Sequence, residues 1–298
     1  MSFPCEVSAV KRSLAGVKPV YTIAKEVYRE GSGLFTGLPV SIKFSPAEEG
    51  HGVVFQRVDL PGRPLLPASL QYVQGTPRCT ILGKEGISIQ MVEHLLASLA
   101  AFGIDNLLIE ISGPEVPVFD GGSNAFVEML EEAELRQQAG VRKIHEITAP
   151  VYWSQGDVHI VALPSDEYRI SYTLHYPQSD LLHSQFYTEV INSENFKKNI
   201  APCRTFSLYE EIAPHIEKGL FKGGSLKNAV IIKEDKVLNP EGLRFPDEMV
   251  RHKILDVVGD LFLIGVPFKA HIIAIRSGHF SNNAFGVELF NHMQMESV

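Results

Sequence analysis

The chain has 298 residues, enough for two domains at roughly 150 residues each, and 45% apolar against 21% charged residues marks it as globular rather than disordered or fibrous, with ample material for a core. Lysine plus arginine is 27 and aspartate plus glutamate is 35, a net charge of −8. This excludes a general nucleic-acid binder, which needs a basic footprint to displace counterions from phosphates, but not an anionic small substrate, since local charge can oppose net charge.

The amino terminus, Met1 to Glu6, lacks the basic start and apolar run of a signal peptide. Tyr21 to Val27 is β-rich, Gly31-Ser32-Gly33 breaks it, and Val40 to Phe44 alternates as a strand does. Val53 to Phe55 is a further strand, and Pro61 to Pro67 is loop. Thr80 to Leu82 and Ile87 to Ile89, joined by Gly83 to Gly86, read as a hairpin. Met91 to Phe102 then takes helical spacing through Val92, Leu95, Leu96 and Leu99, with Gly103 as its stop. This apolar run, at its longest from Leu95 to Ile104, is half the roughly 20 residues that span a bilayer, so no stable membrane span is expected. Asn106 to Ile111 is a strand, Pro114 to Gly122 a loop, and Ser123 stands where it would cap a helix from Asn124 to about Leu135. Gln137 to Gly140 closes a first domain, 1–140.

The second domain, 141–298, has strands at Ile147 to Trp153, Val158 to Leu163 and Tyr168 to Leu174. A helix in Phe206 to Ile216 and a strand after Ala229 flank the turn from Gly219 to Gly224. Met249 to Ile264 is helical and His271 to Ile275 is a strand. Met91-Val92-Glu93-His94 and Met249-Val250-Arg251-His252 open the two long helices. Each helix is followed by a glycine, Gly103 or Gly265, and an apolar strand. A tetrapeptide match alone arises by chance, but the shared order of elements favours duplication of one α+β unit, with the two histidines at equivalent positions. Cys5, Cys79 and Cys203 are odd in number and widely spaced, which fits a reducing compartment rather than a disulfide framework. The protein is therefore expected to be cytoplasmic.

His252 and Asp256 lie one turn apart on one helix face and make a two-ligand metal clip. The pair alone is weak evidence, because most such pairs are solvated or locally hydrogen-bonded. His94 would complete two imidazoles and one carboxylate with an open position, the pattern of catalytic zinc. Glu93, beside that ligand, suits a general base, or is an ordinary first-turn glutamate favoured by the helix dipole. Lys253 is a solvated cation or an anchor for an anionic substrate. Asp260, one turn beyond Asp256, orients a histidine or meets solvent. His279 follows Ser277-Gly278 in a loop that ends at Asn282-Asn283, where a protonated ring would stabilise an oxyanion or donate to a leaving amine; taken alone, it reads as a loop histidine with no role.

The strings VEHLLASLAAFGIDNLLIEISGPEVPVFDGGS (92–123), CRTFSLYE (203–210), GLFKGGS (219–225), VLNPEGLRFPDEMVRHKILDVVGDLFLIG (237–265) and SGHFSNN (277–283) resemble the UDP-3-O-acyl-N-acetylglucosamine deacetylases, over about Tyr21 to Asn283. The resemblance implies an α+β fold of two related domains forming a β-α-α-β sandwich. The helices pack between two sheets, and a βαβ insert lies in the second domain. It implies a Zn2+-dependent amidase that removes acetate from a UDP-linked acylated amino sugar in the committed step of lipid A synthesis; a monomer is expected, although the sequence itself does not give the oligomeric state. The zinc ligands would be His94, His252 and Asp256. Glu93 would be the base and His279 a cation oriented by Asp260, with Thr205 contacting the reacting carbonyl. Lys253 and Phe206 would contact substrate, and the insert around Ile212, Phe221, Ser225 and Val230 would line a passage for the acyl chain. Four positions depart from the family's usual pattern: Phe35 in Gly33 to Gly37, where a histidine is usual, Thr148 where a lysine is frequent, and the pair Phe280-Ser281. Two other classes remain: a zinc amidohydrolase for another N-acyl sugar, and a binding module whose metal is structural and closed by a fourth ligand.

Overall fold

The structure is a computed structural model that describes residues 16–295; Cys5 and the reading of the first six residues fall outside the described residues. In chain order the first half comprises β1 (Val17–Ile23), β2 (Val27–Ser32), β3 (Pro39–Pro46), β4 (Val53–Arg57) and β5 (Leu65–Pro67). A small sheet of β6 (Val73–Gly75), β7 (Ile81–Lys84) and β8 (Ile87–Gln90) leads into α1 (Glu93–Phe102), β9 (Leu107–Ile111) and α2 (Asn124–Ala133). β10 (Leu135–Lys143) and β11 (His145–Glu146) follow. The second half has β12 (Val151–Gln155), β13 (Val158–Leu163), β14 (Tyr168–Tyr176), β15 (His183–Val190) and a single turn, α3 (Ser193–Asn195). β16 (Phe206–Leu208), α4 (Tyr209–Glu217), β17 (Val230–Lys233) and β18 (Lys236–Val237) form the insert. α5 (Glu248–Phe262), β19 (Phe268–Ile275) and α6 (His279–Met295) complete it.

The two main sheets run β2-β3-β9-β4-β5 and β12-β13-β19-β14-β15. In each, the first two pairings are antiparallel, the third is parallel and the last is antiparallel. One strand order with one set of senses, occurring twice, is the topological counterpart of the repeated helix starts. Period-2 alternation explains which face of each sheet is covered: Val40, Ile42 and Phe44 of β3 are buried, and so are Ala270, Ile272 and Ala274 of β19. The first sheet shares a core with α1 and α2, through Leu95, Leu99, Phe126 and Leu130. The second shares one with α5 and α6, through Ile254, Leu255, Phe285 and Leu289. The result is an α+β sandwich with its helices inside. The insert is a βαβ unit, with β16 parallel to β17.

The close approach of α1 and α5 requires a glycine. A Cβ on Gly259 would lie 2.0 Å from the carbonyl oxygen of Glu93, which no side chain can occupy.

Several boundaries differ from the sequence reading. Tyr21 to Val27 is not one strand, because Ala24 and Lys25 leave the ladder to donate to the carbonyl of Ala133. Gly31 and Ser32 stay in β2, paired with Val40 and Pro39. α1 starts at Glu93 rather than Met91, whose φ of 63° is left-handed. Gln137 to Gly140 belongs to β10, which pairs antiparallel with β1 in a separate ribbon. Ser123 stands at the N-cap of α2, but its hydroxyl donates to the carbonyl of His94 instead (2.8 Å). The largest difference is α6. His279 to Asn283 is the first turn of a 17-residue helix and not a loop. Its buried face there is Ser281, Asn282 and Asn283, so the apolar period that announces a helix is missing.

Candidate active site and metal centre

Three elements from both halves bring the candidate residues together. α1 supplies Glu93 and His94, α5 supplies His252, Lys253, Asp256 and Asp260, and the first residue of α6 is His279. His252 and Asp256 share a face because they are four apart in a helix, and the packing of α1 on α5 adds His94. One ligand atom from each of His94, His252 and Asp256 lies within 4.8 Å of the others, and all three residues are buried. His94 Nε2 is 3.8 Å and His252 Nε2 is 3.4 Å from Asp256 Oδ1.

The donor set fits a divalent cation. Asp256 Oδ1 is buried without a hydrogen-bond partner, which is costly unless a cation answers it. The carbonyl of Cys203 can only accept, so it fixes the proton of His252 on Nδ1 (3.0 Å) and leaves the Nε2 lone pair facing Asp256. Ligands about 2.0–2.2 Å from a tetrahedral centre are roughly 3.3–3.6 Å apart, close to the spacings of the two imidazole nitrogens from Asp256 Oδ1. Two nitrogens and a carboxylate oxygen suit zinc, and ferrous iron accepts the same set. Burial, reinforced by the His252 ring, pushes the His94 imidazole down to about 3. Burial also lowers His252. Burial opposes ionisation of Asp256, but Lys253 and then the histidines outweigh it and hold the carboxyl well below the usual range. Neutral rings and an anionic carboxylate are the protonation states a metal needs.

Lys253 Nζ donates to the other oxygen of Asp256 (2.6 Å) and lies 6.0 Å from the Phe206 ring centroid. The segment before β16 is clasped to the start of α5 by a fully buried pair. Arg204 donates through Nε (2.8 Å) and its backbone N–H (3.0 Å) to Glu248 Oε1. This clasp sets the Cys203 carbonyl against His252 and presents Thr205 to the cavity.

Glu93 and His279 face each other, Oε1 to Nε2, at 3.8 Å. His279 Nδ1 donates to Asp260 Oδ2 (2.9 Å). Burial raises Glu93 to about 7, with the His279 charge opposing and Asp260 and Asp256 adding. For His279, burial works against the cation, but Asp260, Glu93 and Asp256 override it and hold the ring at about 9.

A cavity of about 710 Å³ opens onto these groups, with more apolar than polar wall. Thr205, Phe206, Ile212, Phe221, Ser225 and Lys253 line it. Val230 does not, which corrects the sequence reading. β17 alternates, so Val230 is buried in the core while its neighbours Ala229 and Ile231 face the cavity. Phe35 also lines it, with its ring 4.9 Å from that of Phe221. Asp260 is not a wall residue and sits behind His279.

The sequence reading missed Thr80, Asn282, Asn283 and the Cys203 carbonyl. Asn282 Nδ2 donates to Asp260 Oδ2 (2.8 Å), and Thr80 touches both Glu93 and Asp260. No spacing signals a threonine at a hairpin start, and a backbone carbonyl has no signature in a sequence. Only the Asn282-Asn283 pair beside His279 offered a hint.

The sequence model of one family, UDP-3-O-acyl N-acetylglycosamine deacetylase, matches residues 20–291. Curated relatives include the UDP-3-O-acyl-N-acetylglucosamine deacetylases of Chlamydia pneumoniae and Chlamydia muridarum. Each is 46% identical over 275 residues, covering 92% of this chain and 98% and 96% of the relative. That of Chlamydia felis is 44% identical over 273 residues, covering 92% of this chain and 97% of its own.

Proposed function

The chain belongs to the UDP-3-O-acyl N-acetylglycosamine deacetylase family of metalloenzymes, and from that premise we propose how its own residues carry the reaction. The protein is a hydrolase that removes the acetyl group from a UDP-linked 3-O-acyl-N-acetylglucosamine, the committed step of lipid A synthesis. The resident ion is Zn2+, held by His94, His252 and Asp256. Such an ion, when bound, acidifies water and polarises an acyl carbonyl.

Glu93 Oε1 is the base that takes a proton from the attacking water. Its other oxygen is occupied by a backbone N–H, so only Oε1 is free for this work. His279 keeps both ring protons, one shared with Asp260 and one on Nε2 facing the cavity, and stabilises the negative charge that develops on the amide oxygen. The Thr205 hydroxyl faces the same charge. The C–N bond breaks as the amine receives a proton from Glu93 or His279, giving acetate and UDP-3-O-acyl-glucosamine. Lys253 and Phe206 bind the substrate, Phe206 packing beside its sugar and acyl group. Ile212, Phe221 and Ser225 line the acyl passage, with Ile231 taking the place expected of Val230.

The chain divides into two units near residue 140, joined by the β1–β10 ribbon, and acts as a cytoplasmic monomer. Among the described residues no helix is long and apolar enough to cross a membrane.

The observation that carries this reading is Asp256 Oδ1, a buried anionic oxygen with no hydrogen-bond partner among the described residues and with two imidazole nitrogens at 3.4 and 3.8 Å. The test is acetate release from the UDP-linked substrate together with metal analysis. His252→Ala should lose both bound metal and turnover. Glu93→Gln should keep the metal and lose about 100-fold or more in kcat. Glu93→Gln turning over within a few-fold of wild type would remove glutamate as the base. Equal turnover of a substrate without the O-acyl chain would instead mark a general N-acyl-sugar amidohydrolase.

A further inference from the structure

Thr80 touches two carboxylates of the site, Glu93 and Asp260, although it is not on the wall of the cavity described above. It is fully buried at the residue just before β7. Its backbone N–H donates to Glu93 Oε2 (3.0 Å), and its hydroxyl donates to Asp260 Oδ1 (2.5 Å). Asn283 Nδ2, from α6, donates to that hydroxyl in turn (3.2 Å). One residue thus ties a glutamate on α1 through its backbone, and an aspartate on α5 and an amide on α6 through its hydroxyl, three elements drawn from both halves of the chain.

The hydrogen-bond count shows what this does. An ionised carboxylate only accepts, and Asp260 accepts from Thr80 on one oxygen and from His279 and Asn282 on the other. Remove the Thr80 hydroxyl and Oδ1 loses its one protein donor. The carboxylate then gains freedom to rotate away from the His279 ring. The backbone bond to Glu93 belongs to the same residue, so the two catalytic partners, 3.8 Å apart, are referenced to one point. Positions that must hold within about 0.5 Å depend on support of this kind.

We propose that Thr80 is a positioning residue for the deacetylation, its hydroxyl orienting Asp260 and through it His279 toward Glu93. The proposal rests on the function argued above. It goes beyond that function in assigning a role to a residue outside the cavity wall.

The experiment compares Thr80→Val, Thr80→Ser, Asp260→Asn and the Thr80→Val/Asp260→Asn double variant, each with its metal content and melting temperature measured beside kcat and KM. Valine keeps the volume, β-branching and backbone N–H and removes only the hydroxyl. Thr80→Val should lower kcat about 10-fold or more with KM for the UDP-linked substrate within about three-fold. Thr80→Ser, which restores the oxygen, should recover most of the rate. The double variant should be no slower than Asp260→Asn alone, because Thr80 acts through that carboxylate. Three results would overturn the proposal: Thr80→Val at the wild-type kcat beside a slow Asp260→Asn, Thr80→Ser as slow as Thr80→Val, or losses that multiply in the double variant. Asp260→Asn at full rate would strike at the functional reading itself, so the two failures are distinguishable. Should Thr80→Val melt out, the serine variant and the cycle on the Asp260→Asn background still decide.

Discussion

At the scale of single residues the site separates two kinds of proton chemistry within a few ångströms. His94 and His252 are driven neutral by burial, which suits ligands. His279 is driven cationic because it has Asp260 on one nitrogen and Glu93 near the other. The pH consequences follow from that last shift. With a folded value of about 9 against an ordinary value near 6.5, His279 contributes stability that is complete below about 6.5 and is lost as pH rises through about 9. If the cation is needed for turnover, kcat falls above about 9. His279→Gln, which cannot carry the charge, should be about 100-fold slower and should lack this basic limb. A pH profile of both proteins checks it, and an unchanged basic limb in His279→Gln would assign that limb to another group. Of these residues, the His252–Asp256 pair was legible from helical spacing, and the repeat and the resemblance added His94; the three do lie within reach of one ion. Thr80 was not, because hydrogen bonds across a sequence separation of 180 residues leave no local pattern.

At the scale of elements, the contact of α1 with α5 holds His94 from one half against His252 and Asp256 from the other. Gly259→Ala tests it. The added Cβ meets the Glu93 carbonyl oxygen at 2.0 Å, and backbone cannot yield there as a flexible side chain would. The two helices must separate, at a cost of about 1–3 kcal/mol or more. We expect a lower melting temperature and a kcat reduced by more than the stability loss explains, since the same displacement moves Glu93 and His94. An alanine variant with wild-type melting and turnover would show that the helices have slack. The elements themselves were mostly legible. Where the reading failed, as at the start of α6 and across Gln137 to Gly140, the buried face was polar or the pairing partner lay at the far end of the half. Local periodicity carries neither fact.

At the scale of the whole molecule, an ion held by His94, His252 and Asp256 would be a stabilising link between the two halves. A ligand that binds only the folded chain stabilises it by about 4 kcal/mol when present at 1,000 times its dissociation constant. Chelation should therefore lower the melting temperature by several degrees. In Asp256→Ala the chelator should have no effect, and an unchanged shift there would place the bound metal elsewhere. The sequence by itself determined the class of the fold, the repeat, the spacing of His252 and Asp256, and the family, because these lie in residue types and short-range periodicity. The tertiary structure alone decided that His94 comes within 3.8 Å of Asp256, that Val230 turns away while Ile231 faces the cavity, and that Thr80 reaches the carboxylates of both Glu93 and Asp260. Each of those depends on how helices and sheets distant in the chain settle against one another. Packing against a distant element is a property of three-dimensional shape complementarity, and no stretch of the chain carries it alone.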